Sequence, residues 1–452
     1  AITRRPTADN LVADGVTTVV TGNCGGSEED IEKFFADLKE SGIGVNLATL
    51  VGHNTVRRAV MGRENRAATP EELARMEALV ATAMEAGALG LSTGLIYVPG
   101  TYAPTEEIVA LARVARGYGG IYATHMRNEG EKVLEAMEEA LRIAREADLP
   151  LEIAHFKVSN KRFWGLSKEM LARLERARAE GIDVTVDQYP YTASSTGLES
   201  LLPAWALAGA GEGREAAREA LQQRLADKVQ RKKIADEMYE RIRKVEGQKH
   251  LDWAVVASAS WDETLVGKNI RQINREWKRK DNLRQEIETV LDMCAQGGAG
   301  MVYHKMAEKD VARIMAYEFT MVGRDGGVPE LGRGKPHPRN YGTAARVLGR
   351  YVREQKLLRL EEAVRKLTSA AAQRFGFQDR GLLREGLWAD IVVFDPATVG
   401  DAATFAEPHQ YSRGIHYVLV NGVLVVAAGQ LTGARPGKIL YGPGVRRVVS
   451  SN

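Results

Sequence analysis

The sequence predicts an α/β fold: a TIM-like (β/α)8 barrel with its first strand apparently missing, an inserted α/β segment and a small C-terminal β domain. Three observations carry this reading. Short β-branched apolar runs alternate with stretches of helical spacing as far as residue 190, the pattern of a parallel sheet covered by helices. The texture changes between about 197 and 317. From Gly386 onward, short strands and turns replace the helices. The expected division is a barrel over 1–385, with the insertion at about 197–317, and a small β domain over 386–452.

The strand candidates in chain order are Val16–Thr21, Val45–Val51, Leu89–Thr93, Gly120–Thr124, Leu149–Ala154 and Ile182–Val186. Helical spacing fills the gaps over Glu28–Glu40, Pro70–Glu85, Glu106–Arg116, Glu131–Glu146 and Lys168–Glu180. Thr69-Pro-Glu-Glu72 is a strong helix start, with an N-cap Thr, Pro at the first helical position and Glu three residues on. A seventh strand, Phe319–Val322, follows the insertion. Seven strands are one short of a closed (β/α)8 barrel, and the expectation is that the eighth lies upstream of Ala1, which no Met precedes. Within the insertion, Ala216–Lys244 reads as a charged helical run and Trp253–Ser258 as a strand; the basic stretch Lys228–Arg243 reads as a solvated helix face. Helices are expected over Thr343–Gln355 and Leu360–Phe375, and strands over Ile391–Phe394, Val418–Val420 and Val423–Ala427. Asn421-Gly422 between two of these is a hairpin signal.

Composition excludes several classes. The 452 residues are 44% apolar, 27% charged and 6% aromatic, the makeup of a soluble globular chain. No apolar run approaches the ~18 residues of a membrane helix. With 62 basic and 59 acidic residues the net charge is +3, which gives no reason to expect nucleic acid or anionic lipid as the main partner. Two cysteines, Cys24 and Cys294, are too few for a disulfide scaffold and suit a reducing cytoplasm. No charged-then-apolar leader is read at the start.

In a parallel α/β barrel, chemistry sits at the C-terminal ends of strands. Those ends carry Cys24 in Gly22-Asn-Cys-Gly-Gly26, His125 in Thr124-His-Met-Arg-Asn-Glu129, His155 in Ala154-His-Phe-Lys157 and Asp325 in Gly323-Arg-Asp-Gly-Gly327. Taken singly, each has an ordinary structural reading. A buried Cys packs as a small hydrophobe, a strand-end His is a hydrogen-bonded structural residue, and an Asp before Gly-Gly caps a turn. Their meeting on one rim is what argues for a site, because thiolate, imidazole and carboxylate suit zinc. A metal held there is expected to lower the pKa of a bound water toward ~7 and to polarise a carbonyl. Asp325 is the expected general acid/base. His53, in Gly52-His-Asn54, also follows a strand and is a weaker candidate.

With these residues in view the chain resembles the D-aminoacylases, the N-acyl-D-amino-acid deacylases of the amidohydrolase superfamily. The resemblance runs through Thr17–Gly25, Gly87–Gly100, Thr124–Glu129, Ala154–Lys157, Asp187-Gln-Tyr-Pro-Tyr191, His337–Gly342 and the tail from Gly386 through Gly422. Gly-Asn-Cys-Gly is its most specific part, since a Cys ligand separates this branch from relatives that use a modified lysine. The resemblance implies a barrel of the metal-dependent hydrolase type, zinc on Cys24, His125 and His155, and Asp325 as catalytic acid/base. It further implies that Lys157, Tyr189 and Arg339 hold the substrate α-carboxylate, and that Tyr97 and Ser195 line the pocket. An ammonium, a phenol and a guanidinium can surround an anion, Arg bidentately.

The resemblance also brings a departure. The superfamily normally carries His-x-His on its first barrel strand, and the pair is not found in this sequence. The implied activity is zinc-dependent hydrolysis of N-acyl-D-amino acids to a carboxylate and a free D-amino acid. A cyclic amidohydrolase of hydantoinase or dihydroorotase kind is a second reading, and a non-catalytic amidohydrolase-like protein a third.

Overall fold

The computed structural model describes residues 2–209 and 213–445. The expected small β domain therefore ends, in its last residues 446–452, outside the described ones.

Parallel strands form the centre. They are β1 (Thr18–Thr21), β2 (Asn46–Thr49), β3 (Val51–Gly52), β4 (Gly90–Gly94), β5 (Ile121–His125), β6 (Leu151–Ile153) and β7 (Val184–Gln188). The chain between β7 and β11 adds β8 (Ser194–Gly197), β9 (Ala254–Ser258) and β10 (Gly300–Tyr303), after which β11 (Thr320–Val322) returns to the centre. β1 pairs with β2, and β3 continues the same run of chain beyond Leu50 into a six-stranded sheet of order β11-β7-β6-β5-β4-β3. Every pairing among these is parallel. Among the described residues no ladder joins β1 to β11.

The strands form here because their residues are buried on both faces: β2, β4, β5 and β6 are buried throughout, and only helix-covered parallel strands read that way. The covering helices include Ile31–Ser41, Pro70–Glu85, Thr105–Gly117, Val133–Ala147 and Ser167–Ala179. The second of these starts where the sequence says it should. Thr69 accepts from the Glu72 amide, Glu72 returns the bond to the Thr69 amide, and Pro70 fills the first helical position.

The inserted sheet is antiparallel, of order β8-β10-β9, and packs with its helices around its own apolar cluster, including Leu225, Ile234, Trp253, Ile287 and Met301. The helical run expected over Ala216–Lys244 is present with an interruption. Helices Arg214–Ala226 and Lys228–Tyr239 meet at Asp227, whose backbone is extended and whose carboxylate accepts from the Val229 and Gln230 amides. A side chain that caps a new helix this well ends the old one. The expected helix Leu360–Phe375 is likewise split at Thr368, where φ/ψ leaves the helical region.

The tail forms an antiparallel sheet of β12 (Ile391–Phe394), β13 (Ile415–Val420), β14 (Val423–Ala427) and β15 (Gln430–Leu431) in that order. Asn421 and Gly422 both have positive φ, 49° and 84°, as a two-residue primed hairpin requires. Among the described residues, no helix is long and apolar enough to cross a membrane.

Candidate metal centre

Three of the predicted site residues share a rare backbone conformation. Cys24 (φ 53°), His155 (φ 38°) and Asp325 (φ 46°) are all left-handed, a region that non-glycine residues seldom occupy and that clusters at functional sites. Each lies just past a strand end, where a left-handed residue turns the chain sharply.

Specific contacts impose those turns. Ser92 on β4 donates to the Gly22 carbonyl (2.5 Å) and accepts from the Gly25 amide (3.1 Å), gripping the Cys24 loop on both sides. A Cβ on Gly25 would overlap the Asn54 side chain. Asn54 in turn accepts from the Gly94 amide (3.2 Å) and donates to the Gly94 carbonyl (3.1 Å). The His155 amide donates to Asp187 Oδ1 (2.9 Å) at the end of β7. A Cβ on Gly323 would overlap that same carboxylate, so only glycine lets the Asp325 loop pass so close. Arg324 donates to the carbonyls of Arg339 and Asn340 (3.2 and 2.6 Å), tying the Asp325 loop to the segment that carries Arg339.

These supports bring Cys24, His125 and His155 together: their ligand atoms lie within 4.8 Å of one another. Cys24 Sγ is 3.2 Å from His155 Nε2, and the two imidazole rings meet edge to face at 4.2 Å. Zinc bonds of ~2.0–2.3 Å place tetrahedral donors roughly 3.5 Å apart, which this grouping suits. Both ring nitrogens of His125 are buried without a hydrogen-bond partner among the described residues, an expense that a ligand would remove. Burial holds the His125 pKa well down, so its ring is neutral and able to ligate. Burial also pushes the Cys24 thiol up, against the pull of His155. Burial and the Lys157 ammonium oppose charging of His155, but Cys24 and Asp325 outweigh them and raise it to about 10. Thiol and imidazole thus share protons that a metal would displace.

Around this triad, Asp325 Oδ2 pairs with Arg339 Nη1 at 2.8 Å, and its side chain keeps 30% exposure. Arg339 itself is buried. Tyr189 lies between two cations, with Arg339 Cζ 4.5 Å and Lys157 Nζ 5.8 Å from its ring centre; its hydroxyl contacts Met306 Sδ at 3.7 Å. Tyr97 sets its ring edge to face with His125 at 4.8 Å, and burial raises its phenol pKa. Ser195, on β8, donates to the Met301 carbonyl (2.8 Å), and its own carbonyl accepts from Arg339 Nη2 (3.4 Å). His53 is apart from the triad: it is fully buried and pairs with Glu107 at 2.8 Å beside Arg57.

Sequence reasoning missed Glu129. Its Oε1 is 2.5 Å from Lys157 Nζ, which also lies 2.8 Å from His155 Nδ1. Burial would raise the Glu129 pKa, yet Lys157 and the two histidines hold its carboxyl well below the usual range. Ser92, Asn54 and Asp187 were missed as well. Each stands inside a quoted motif, but its role comes from partners distant in sequence.

The profile of the amidohydrolase family matches residues 320–426. D-aminoacylase of Alcaligenes xylosoxydans xylosoxydans is 39% identical over 97% of this chain and 83% of its own length. N-acyl-D-aspartate deacylase of the same organism is 38% identical over 95% of this chain and 80% of its own. Among solved structures, N-acyl-D-glutamate deacylase from Bordetella bronchiseptica, complexed with zinc and a phosphonate mimic of the tetrahedral intermediate, superposes with a TM-score of 0.79 at 33% identity, covering 97% of this chain and 85% of that one.

Proposed function

This chain belongs to the D-aminoacylase (N-acyl-D-amino-acid deacylase) family of the amidohydrolase superfamily, and from that premise we propose that it hydrolyses the amide of N-acyl-D-amino acids to a carboxylate and a free D-amino acid, with zinc as its metal. The observation that carries the reading is the meeting of Cys24, His125 and His155 beside a carboxylate that remains partly exposed, Asp325.

Cys24, His125 and His155 would hold the zinc. When bound, it supplies Lewis-acid polarisation of the acyl carbonyl and acidifies water. Asp325 accepts the proton of the attacking water and delivers it to the leaving nitrogen as the C–N bond breaks. Arg339, whose guanidinium is buried next to Asp325, binds the substrate α-carboxylate and fixes the scissile amide against the acid/base. Lys157 and Tyr189 complete that cradle, and the convergence of both cations on the Tyr189 ring supports the assignment. Lys157 contributes less than a free ammonium would, because Glu129 already neutralises it. Tyr97 and Ser195 line the pocket from the β4 loop and the inserted sheet.

With β2 and β3 counted as one interrupted strand, the same reading treats the central parallel strands as seven of an eight-stranded barrel whose remaining position lies between β1 and β11. It divides the chain into a barrel over 1–385, an insertion at about 197–317 and a small β domain over 386–452. The separate apolar cluster of the inserted region supports that division. Free thiols at Cys24 and Cys294 suit a reducing cytoplasm.

The test is hydrolysis of N-acetyl-D-methionine and N-acetyl-L-methionine by the zinc-loaded protein. The D enantiomer is expected to be cleaved and the L enantiomer spared; equal turnover of both, or of neither across a panel of acyl D-amino acids, contradicts the reading.

A further inference from the structure

Glu129 stands four residues beyond His125, and its side chain keeps only 11% exposure. Its Oε1 is 3.2 Å from His155 Nδ1 and 3.6 Å from His125 Nε2. One carboxylate oxygen therefore lies against a ring nitrogen of each histidine, within hydrogen-bond distance of His155 Nδ1 and, at 3.6 Å, beyond it for His125 Nε2. His155 Nε2, the opposite nitrogen, faces Cys24 Sγ; both nitrogens of His125 are buried without a hydrogen-bond partner among the described residues, and Glu129 approaches its Nε2, which leaves Nδ1 for a ligand.

His155 Nδ1 has a second neighbour that asks the contrary of it. Lys157 Nζ, 2.8 Å away, can only donate, whereas an ionised carboxylate can only accept. If Nδ1 accepts from Lys157, the proton of the neutral ring sits on Nε2, where the metal has to bind. If Nδ1 carries the proton and donates to Glu129, Nε2 presents its lone pair toward Cys24. Histidine ligands commonly donate their second nitrogen to a carboxylate, which fixes tautomer and ring orientation. Lys157 also donates to Glu129 and to the His155 carbonyl (2.8 Å), so it has acceptors besides the ring.

We propose that Glu129 is the positioning carboxylate of the metal centre: a single oxygen that selects the ligating tautomer of His155 and orients His125 at the same time. This rests on the metal-centre reading above. It adds a residue outside the ligand set and the substrate cradle.

The experiment is zinc competition against a chromophoric chelator, run on wild type and Glu129→Gln, with the thermal midpoint of each metal-free protein recorded alongside. Zinc binding roughly 10–100-fold weaker in Glu129→Gln, at a similar metal-free midpoint, is expected for an outer carboxylate of this kind. Unchanged zinc affinity in the folded variant overturns the proposal. Should Glu129→Gln fail to fold, nitrogen-15 spectra of histidine-labelled, zinc-loaded wild type decide instead. The expected protons are on His155 Nδ1 and His125 Nε2, and the reverse assignment at His155 overturns the proposal. If wild type binds no zinc, the metal-centre reading itself fails. If wild type binds zinc and Glu129→Gln binds it equally, only the role of Glu129 fails.

Discussion

Two groups of potential ligands in this chain look alike by distance and differ in everything else. Cys24, His125 and His155 gather their donor atoms within 4.8 Å, and so do His250, Asp281 and Glu286 in the inserted region. In the second group the donors are already spent. His250 Nδ1 bonds Glu286 Oε1 (2.6 Å), Glu286 Oε2 accepts from the Leu251 amide (2.6 Å), and Asp281 is paired by Arg271 and Arg275 at 2.7 Å each. Two arginines already supply the positive charge that Asp281 faces. In the first group both nitrogens of one imidazole lack a hydrogen bond, and the backbone of two of its three residues is held left-handed. Proximity of ligand types does not by itself make a site. A cost that only a ligand relieves does.

Several substitutions sharpen or break this contrast. The largest effect belongs to Asp325→Ala, which spares the first triad: kcat/KM should fall about 10²–10⁴-fold, the usual worth of a general acid/base, with zinc content unchanged. Activity close to wild type would remove Asp325 from the mechanism. Arg339→Met should cost about 2 kcal/mol of binding, the scale of a charged hydrogen bond, read as a roughly 30-fold rise in KM at a smaller change in kcat. Its counterpart in the second group, Glu286→Gln, should lower stability by about 1–3 kcal/mol in chemical denaturation and leave KM and kcat as they are. A change in zinc content there would mean that the two groups are not so different.

Ser92→Ala removes both bonds that grip the Cys24 loop. Zinc affinity should fall roughly 10-fold, the lower end for an outer-shell support, while Ser92→Thr, which keeps the hydroxyl, should restore much of it. Smallest is the effect of a satisfied carboxylate far from either group. Arg66 and the Thr69 amide hold Glu72 down at about 2. A folded pKa below the unfolded one stabilises above the unfolded value and is lost as pH falls. The stability difference between wild type and Glu72→Gln should therefore be full near pH 6 and shrink below about pH 4.5, the ordinary glutamate range. A difference independent of pH would contradict that ion pair.

What was legible in the sequence follows from how local each feature is. The parallel strands showed themselves because two-sided burial writes an apolar run, and the helix Pro70–Glu85 because its cap lies in four adjacent residues. Rim residues were readable once strand ends were, since His125 closes β5 and Cys24, His155 and Asp325 each follow a strand within three residues. β8, Ser194-Ser-Thr-Gly197, was not readable: it is short and polar, and its pairing with β10 spans about a hundred residues of chain. The break at Asp227 hid because an acidic residue in a charged run looks like any other solvated position. Glu129 hid for the same reason. A glutamate in a loop reads as exposed until the fold brings Lys157 and two histidines to it, and no spacing rule encodes that meeting.

The most direct test of the whole account is zinc affinity measured by chelator competition in wild type, Cys24→Ala and His250→Ala. Tight binding that is lost in Cys24→Ala and kept in His250→Ala is the result expected from the difference between the two groups. Binding that survives Cys24→Ala, or disappears in a folded His250→Ala, would contradict it.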